Sequence, residues 1–216
     1  MPMSRSGAGS GTPFALVVPV KTLTRAKSRL TGFPDDVRRA LVMAFALDAL
    51  AAATSCRAVG SVAVVTDEPD LAGLVRDLGC DVLPDEGAGD LNRVLQSAVR
   101  ALQPSGPVAA MLGDLPCLLP EDLEQALGSV QDKGFVADAE GTGTTLVAVR
   151  DPASFVTHFG ARSRAAHVAA GIVEITLEVP SLRRDVDTAG DLAAATMLGV
   201  GPRTGAVLAR SWQTGI

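Results

Sequence analysis

The chain has 216 residues, of which 47% are apolar and 20% are charged, the balance of an ordinary globular protein. This length is enough for one α/β domain and too short for two. The net charge of −5 argues against bulk attraction to nucleic acid or anionic membranes, and no stretch approaches the roughly 20 apolar residues that span a bilayer. Three widely spaced cysteines (Cys56, Cys80, Cys117) are interpreted as reduced core residues of a cytoplasmic protein. His158 and His167 belong to no metal-ligand set and are interpreted as structural.

Apolar runs alternate with helical patterns along most of the chain. Residues 1–12 are small and polar, and we interpret them as a disordered leader without a targeting signal. The predicted elements are, in order, strand 14–20, helix 34–54, strand 61–66, helix 70–78, strand 81–83, helix 90–102, strand 108–112, helix 120–130, strands 134–137 and 144–149, a helix beginning near Ser163, strand 172–179 and helix 189–198. Residues 201–216 have no strong periodicity and are predicted to be a C-terminal tail.

This alternation predicts the α/β fold class, with a single domain over residues 13–200 built on a mostly parallel sheet with flanking helices. In such folds, ligands bind in the loops at the carboxyl ends of the strands. We therefore expect the functional side chains in the loops that follow the predicted strands.

The loop after the first predicted strand concentrates positive charge in an acidic chain. It carries Lys21, Arg25, Lys27 and Arg29. Cations so placed can hold a triphosphate and neutralise charge on a leaving pyrophosphate, although a solvated basic loop is the alternative. All four are candidate nucleotide ligands, and Lys21 and Lys27 are candidate catalytic residues. The loop has neither a Walker A nor a G-x-G-x-x-G motif, which disfavours P-loop and dinucleotide-binding proteins.

Two acidic segments that follow predicted strands are candidates for a metal site. Asp114 ends an apolar strand, where a carboxylate can bind a hard cation such as Mg²⁺. If the segment near residue 186 is extended, Asp185 and Asp187 point to the same side, and one of them could complete a site with Asp114. A turn for Asp114 and a helix cap for Asp187 are the structural alternatives. Arg183 and Arg184 would face phosphate or pair with carboxylates.

Loops of small residues supply further candidates. Segment 141–145 offers backbone N–H and hydroxyl donors suited to a carboxylate or phosphate, and Gly160 lies in a second loop of this kind. Ser163 is predicted to be a helix N-cap, where anions bind, and ordinary turns are the alternative. Asn92 could read a base edge or merely enter a helix, and Thr66 is a further candidate for the nucleoside side of the pocket.

Together these motifs resemble the phosphoenolpyruvate or 2-phospho-L-lactate guanylyltransferase family of coenzyme F-420 biosynthesis. The resemblance covers almost the whole chain from residue 13 to 198, and it is specific as a set although no single motif is. The motifs are Val18-Pro19-Val20-Lys21, Ala26-Lys27-Ser28-Arg29-Leu30, Gly113-Asp114-Leu115-Pro116, Gly141-Thr142-Gly143-Thr144-Thr145, Phe159-Gly160 with Ser163, and Arg183-Arg184-Asp185-Val186-Asp187-Thr188. One departure is Asp90-Leu91-Asn92, where Gly-Leu-Asn is expected, and it weakens the assignment of Asn92 to the base.

The resemblance implies a nucleotidyltransferase (nucleotide-diphospho-sugar transferase-like) fold, GTP as donor and Mg²⁺ as cofactor. It also implies a role for particular positions of this chain. These are Thr145, Gly160 and Ser163 for the acceptor, Asp114 with Asp185 or Asp187 for the metal, and Lys21, Arg25, Lys27 and Arg29 for the GTP phosphates.

The implied reaction transfers GMP from GTP to phosphoenolpyruvate, giving enolpyruvoyl-2-diphospho-5'-guanosine and pyrophosphate. Phosphoenolpyruvate and 2-phospho-L-lactate present the same carboxylate and phosphate. Resemblance to the bacterial branch favours phosphoenolpyruvate, with 2-phospho-L-lactate and 3-phosphoglycerate as alternatives. A metal-dependent glycosyltransferase that uses the Asp-x-Asp motif at residues 185–187 is a competing function, as is a GTP-binding regulatory module.

The partners expected from the sequence are the small-molecule substrates, with neither nucleic acid nor membrane. The sequence permits a homodimer but does not require one. The resemblance implies that the next enzyme of the coenzyme pathway accepts the activated acid, and direct hand-off to that enzyme is left open.

Overall fold

The computed structural model describes residues 11–20, 30–87 and 89–213, without the side chains of residues 212 and 213. Its strands are β1 (Phe14–Pro19), β2 (Val59–Val65), β3 (Asp81–Leu83), β4 (Val108–Met111), β5 (Lys133–Ala137), β6 (Thr144–Val149) and β7 (Val173–Glu174). Its α-helices are α1 (Asp35–Ser55), α2 (Pro69–Asp77), α3 (Leu91–Leu102), α4 (Pro120–Ser129), α5 (Ser163–Ala169), α6 (Pro180–Arg183), α7 (Ala189–Leu198) and α8 (Pro202–Gln213). Within these described residues, no helix is long and apolar enough to cross a membrane.

The seven strands form one sheet in the order β3-β2-β1-β4-β6-β5-β7. β1 runs parallel to β2 and β4, β2 is parallel to β3, and β5 is parallel to β7. Only β6 is reversed, pairing antiparallel with both β4 and β5. This mostly parallel sheet with flanking helices confirms the predicted α/β fold class.

Helices cover both faces of the sheet, so the central strands are buried on two sides. Because side chains alternate along a strand, Leu16 and Val18 of β1 pack into a core with α1, α2 and α4, whereas Val17 packs on the opposite face. There it meets Val94 and Leu95 of α3. Burial on both faces is the reason why these strands read as continuous apolar runs in the sequence.

The C-terminal residues form a helix rather than the predicted tail. Helix α8 packs against α1, and the buried carboxylate of Asp48 accepts hydrogen bonds from the N–H groups of Arg203 (3.2 Å) and Thr204 (2.8 Å) at its start. Its buried face consists of Thr204, Leu208 and Ser211, at helical spacing. Two of these three residues are polar, which weakens the apolar pattern of this helix in the sequence.

The last predicted strand is also shorter than expected, since β7 covers only Val173–Glu174 of residues 172–179. Beyond it, the guanidinium of Arg183 donates to the carbonyl oxygens of Ile175 (2.7 Å) and Leu177 (3.2 Å). These carbonyls therefore bond to a side chain where a continuing strand would bond to its neighbour.

Candidate active site

A cleft of about 730 Å³ opens at the carboxyl ends of β1 and β4. Pro19 and Val20 line it where β1 ends, and Gly113 and Asp114 line it where β4 ends. Loop residues 159–163 form another part of its wall. This is the edge of the sheet at which parallel α/β folds bind their ligands.

Carboxylates from two segments that are distant in sequence line this cleft. The N–H of Val186 donates to the carbonyl of Asp114 (3.1 Å), which joins the segment before α7 to the loop after β4. The side chain of Val186 is fully buried against α1 and α7. Its neighbours Asp185 and Asp187 line the cleft together with Asp114.

The carboxylates that line the cleft are candidate ligands for a metal ion. Within the part of the chain that the structure describes, no three His, Cys, Asp or Glu side chains converge as a complete metal site. Mg²⁺ is usually held by one or two carboxylates together with water and the phosphates of a substrate. The oxygen donors of this cleft therefore fit a metal shared with a bound nucleotide better than one enclosed by protein.

A tight turn over residues 138–143 forms a further part of the cleft wall and is held by a carboxylate. Asp138 accepts hydrogen bonds from the N–H of Thr142 (2.9 Å) and of Gly143 (2.8 Å). A Cβ at position 143 would overlap the Asp138 carboxylate, so this turn requires glycine there. The sequence analysis missed Asp138, although an aspartate opening a Gly-rich turn is a recognisable signal.

The loop before α5 carries two unusual backbone conformations. Gly160 has φ +133° and Arg162 has φ +57°, a left-handed value that is uncommon for a residue with a side chain. Arg162 is the N-terminal flanking residue of α5 and Ser163 is the first residue of the helix, so the prediction that Ser163 is the N-cap was wrong by one position. Among the described residues, Arg162 is the one cation that lines the cleft, and the sequence analysis did not single it out.

Asn92 lies at the start of α3 and contacts this loop through its side-chain amide. Its Nδ2 donates to the carbonyl of Phe159 (2.9 Å), and its Oδ1 accepts from the N–H of the same residue (2.8 Å). Helix entry itself is provided by Asp90, whose carboxylate accepts from the N–H groups of Asn92 and Arg93. Asn92 therefore faces the backbone of Phe159, a residue that lines the cleft.

A buried histidine fastens the same loop to the sheet. Nε2 of His167 accepts from the N–H of His158 (2.9 Å), so the ring proton is on Nδ1, which donates to Oγ1 of Thr144 (3.0 Å). Burial, with a smaller contribution from the charge of His158, lowers the pKa of His167 to about 4. The imidazole is thus neutral near pH 7 and acts as a hydrogen-bonding link.

Other predicted site residues lie elsewhere. Thr66 is buried at the end of β2, where its Oγ1 accepts from the N–H of Glu68. Thr145 is fully buried and its hydroxyl donates to the carbonyl of Val136 (3.5 Å), while its neighbour Thr144 lines the cleft. The four candidate cations of the first loop lie outside the described residues, namely Lys21, Arg25, Lys27 and Arg29.

The arginines next to the acidic segment differ in role. Arg183 donates to three backbone carbonyls, including that of Ala137 (3.0 Å), so the prediction that it faces phosphate or a carboxylate was wrong. Arg184 lies 3.8 Å from the carboxylate of Asp191, in agreement with the predicted pairing.

Solved structures support the fold. A nucleotide-diphospho-sugar transferase from Desulfovibrio desulfuricans G20 superposes with a TM-score of 0.67 at 18% identity, covering 92% of this chain and 95% of the other. A nucleotidyl transferase from Methanothermobacter thermautotroptrophicus gives a TM-score of 0.58 at 16% identity, covering 87% of this chain and 98% of the other. At these identities the likeness concerns the fold alone, and it confirms the predicted nucleotidyltransferase architecture.

Sequence comparison identifies the family. A phosphoenolpyruvate guanylyltransferase from Streptomyces coelicolor is 49% identical over 204 residues, which cover 91% of this chain and 96% of the relative. The protein of the same name from Thermomonospora curvata is 48% identical over 203 residues, covering 91% and 89%. The family model described as "Guanylyl transferase CofC like" matches residues 14–210. The chain therefore belongs to the CofC-like guanylyl transferase family.

Proposed function

We propose that this chain transfers GMP from GTP to phosphoenolpyruvate, forming enolpyruvoyl-2-diphospho-5'-guanosine and pyrophosphate. The observation that carries the proposal is that Asp114, Asp185 and Asp187 line one cleft at the carboxyl ends of β1 and β4. The 49% identity to a relative named phosphoenolpyruvate guanylyltransferase supports the choice of substrates.

The proposed chemistry is an in-line displacement at the α-phosphorus of GTP. A phosphate oxygen of the acceptor forms the new bond to this phosphorus, and the bond to the oxygen that bridges the α- and β-phosphates breaks, releasing pyrophosphate. The acceptor phosphate is already ionised near neutral pH, so no general base is required. Reactions of this type depend mainly on positioning and on stabilisation of charge.

In this proposal, a bound metal ion and basic side chains stabilise the negative charge of the reacting phosphates. Mg²⁺ bound by Asp114 with Asp185 or Asp187 would neutralise the charge of the reacting phosphates. The four basic residues of the first loop are proposed to cover the GTP phosphates, with Lys21 and Lys27 as catalytic groups. The acidic lining of the cleft supports this division, because nucleotide phosphates could not enter it without compensating positive charge.

The acceptor is proposed to bind between the turn over residues 138–143 and the loop over residues 159–163. Gly160 and Ser163 line the cleft there, which supports their assignment to the acceptor. The side chain of Thr145 faces Val136, so any contact from this position would come from its backbone. Thr66 stays a prediction for the nucleoside side.

The test is pyrophosphate release from GTP and Mg²⁺, with phosphoenolpyruvate, 2-phospho-L-lactate and 3-phosphoglycerate in parallel reactions. Release with phosphoenolpyruvate alone is the expected result. Release with another of these acids alone would keep the mechanism and replace the acceptor. No release from folded, metal-supplied protein would refute the proposal, and turnover of a nucleotide sugar would then favour the glycosyltransferase alternative.

Further properties stay predictions of the sequence. A cytoplasmic location is predicted, whereas a homodimer is permitted but not required, and hand-off of the product to the next enzyme of the coenzyme pathway is left open. Size-exclusion chromatography with light scattering would decide the oligomeric state.

A further inference from the structure

The loop over residues 157–163 has a backbone that needs support. Gly160 adopts a positive φ that only glycine tolerates easily, and Arg162 adopts a left-handed conformation despite its side chain. Conformations of this kind persist where the surrounding structure determines them. The groups that hold this loop therefore decide where its cleft-facing atoms lie.

Among the described residues, two side chains that are distant in sequence, Asn92 and His167, contact the loop. The amide of Asn92 pairs with both the N–H and the carbonyl of Phe159, at 2.8 and 2.9 Å. The ring of His167 accepts from the N–H of His158, and the buried ring of Phe159 packs edge-on against it, with 5.6 Å between the ring centroids. Of these contacts, the hydrogen bond from Asn92 to the Phe159 carbonyl engages the peptide group that joins Phe159 to Gly160.

A paired contact of this kind fixes the backbone of Phe159 on both sides of its Cα, because the N–H belongs to the preceding peptide group and the carbonyl to the following one. The planar carboxamide supplies one donor and one acceptor, matching the acceptor and donor of Phe159. Asn92 is separated from Phe159 by 67 positions in the sequence, so the contact ties α3 to the loop before α5. An amide edge engaged in this way is not the edge that would read a guanine base.

We infer that Asn92 is a positioning residue for the acceptor side of the cleft: its carboxamide fixes the backbone N–H and carbonyl of Phe159 and thereby Gly160 and the residues up to Ser163. The inference rests on the proposed function for the identity of the acceptor, a phosphorylated carboxylic acid. It replaces the prediction that Asn92 contacts the nucleotide.

The decisive variant is Asn92→Asp, which keeps the shape of the side chain but replaces the donor that faces the Phe159 carbonyl with an acceptor. Gln96→Glu is the matched control, because it makes the same amide-to-carboxylate change one helical turn further along α3. Asn92→Ala removes the contact without adding charge. Each variant is assayed for the KM of phosphoenolpyruvate and of GTP, and for hydrogen–deuterium exchange over residues 157–163.

Asn92→Asp and Asn92→Ala are expected to raise the KM of phosphoenolpyruvate at least about tenfold, because small displacements of a binding loop are costly, while the KM of GTP stays within about twofold. Exchange over residues 157–163 should accelerate in both variants but not in Gln96→Glu. A selective rise in the KM of GTP would show a nucleotide contact and overturn the inference, as would unchanged values of both KM. If the unaltered chain releases no pyrophosphate, the proposed function is refuted, but the loop contact is still tested by hydrogen–deuterium exchange. Exchange over residues 157–163 that is the same in the Asn92 variants as in the unaltered chain would refute that contact.

Discussion

At the scale of single residues, the cleft combines a strongly acidic lining with few described cations. Its described lining holds one cation, Arg162, and five acidic residues, namely Asp114, Asp138, Glu140, Asp185 and Asp187. Asp138 is committed to two N–H groups of its own turn, so it has a structural task. The proposed metal-binding role is assigned to Asp114 with Asp185 or Asp187.

The first prediction concerns Asp114. Replacement by Asn keeps the shape but removes the charge of the proposed metal ligand, so kcat/KM should fall at least about 100-fold and the thermal midpoint should change little. Assays of pyrophosphate release over a range of Mg²⁺ concentrations, together with thermal unfolding, measure both effects. The same assays on Asp185→Asn and Asp187→Asn identify the second metal ligand. It is the aspartate whose replacement raises the Mg²⁺ concentration needed for activity.

The matched control for these variants is Asp132→Asn, an identical change at an exposed position outside the cleft. It should leave both activity and Mg²⁺ dependence unaltered. Full activity of Asp114→Asn at ordinary Mg²⁺ concentrations would contradict the assignment of this residue to the metal.

At the scale of elements, α8 shows how a helix can be specified with little apolar periodicity. The amino terminus of α8 is capped by a residue that is distant in sequence, because the carboxylate of Asp48 in α1 accepts hydrogen bonds from the first N–H groups of α8. The same carboxylate lies 3.6 Å from the guanidinium of Arg203. Gly201 approaches the Asp48 side chain so closely that a Cβ would overlap it, and its N–H donates to the carbonyl of Pro116 (2.7 Å). The family model also extends into this helix, to residue 210.

This arrangement predicts opposite effects for two glycine substitutions. Gly201→Ala forces a Cβ into the buried Asp48 carboxylate and should lower the free energy of unfolding by about 1–3 kcal/mol. Gly205→Ala lies within α8, where a Cβ meets nothing within 4 Å, and should raise the free energy of unfolding by about 0.5–1 kcal/mol through helix propensity. Urea unfolding of both variants measures these changes. Equal, negligible effects would mean that α8 is not part of the cooperative unit.

At the scale of the whole molecule, local sequence patterns predicted the order of the elements and the fold class. They did not predict the contacts between residues that lie far apart in the sequence. Apolar runs and their alternation with helices sufficed for the order of elements and the fold class, and the position of Asp114 at a strand end sufficed to locate the cleft. The pairing of Asn92 with Phe159 and the capping of α8 by Asp48 join residues 67 and 156 positions apart. No local pattern encodes such pairings, because each partner is chosen by the packing of the finished fold.

The pH dependence of global stability should report on the buried His167. The pKa of His167 is about 4 in the folded chain, against an ordinary value of 6.5. Between these two pH values the imidazole is protonated in the unfolded chain but neutral in the folded chain. This contribution to stability is therefore complete above pH 6.5 and is lost as the pH falls towards 4. Between pH 7 and 4.5 it amounts to about 2 kcal/mol.

The comparison that isolates this effect is the unaltered chain against His167→Gln, by urea unfolding at several pH values from 7 to 4.5. Removing the histidine should cost stability at pH 7, and the difference between the two proteins should shrink by about 2 kcal/mol on acidification. His158→Gln should preserve most of the shrinkage, because burial contributes more than the His158 charge to the lowered pKa of His167. A difference that stays constant with pH would mean that the ring takes up a proton in the folded chain as easily as in the unfolded one. That outcome would remove the basis for treating the imidazole as a fixed neutral link between the loop and the sheet.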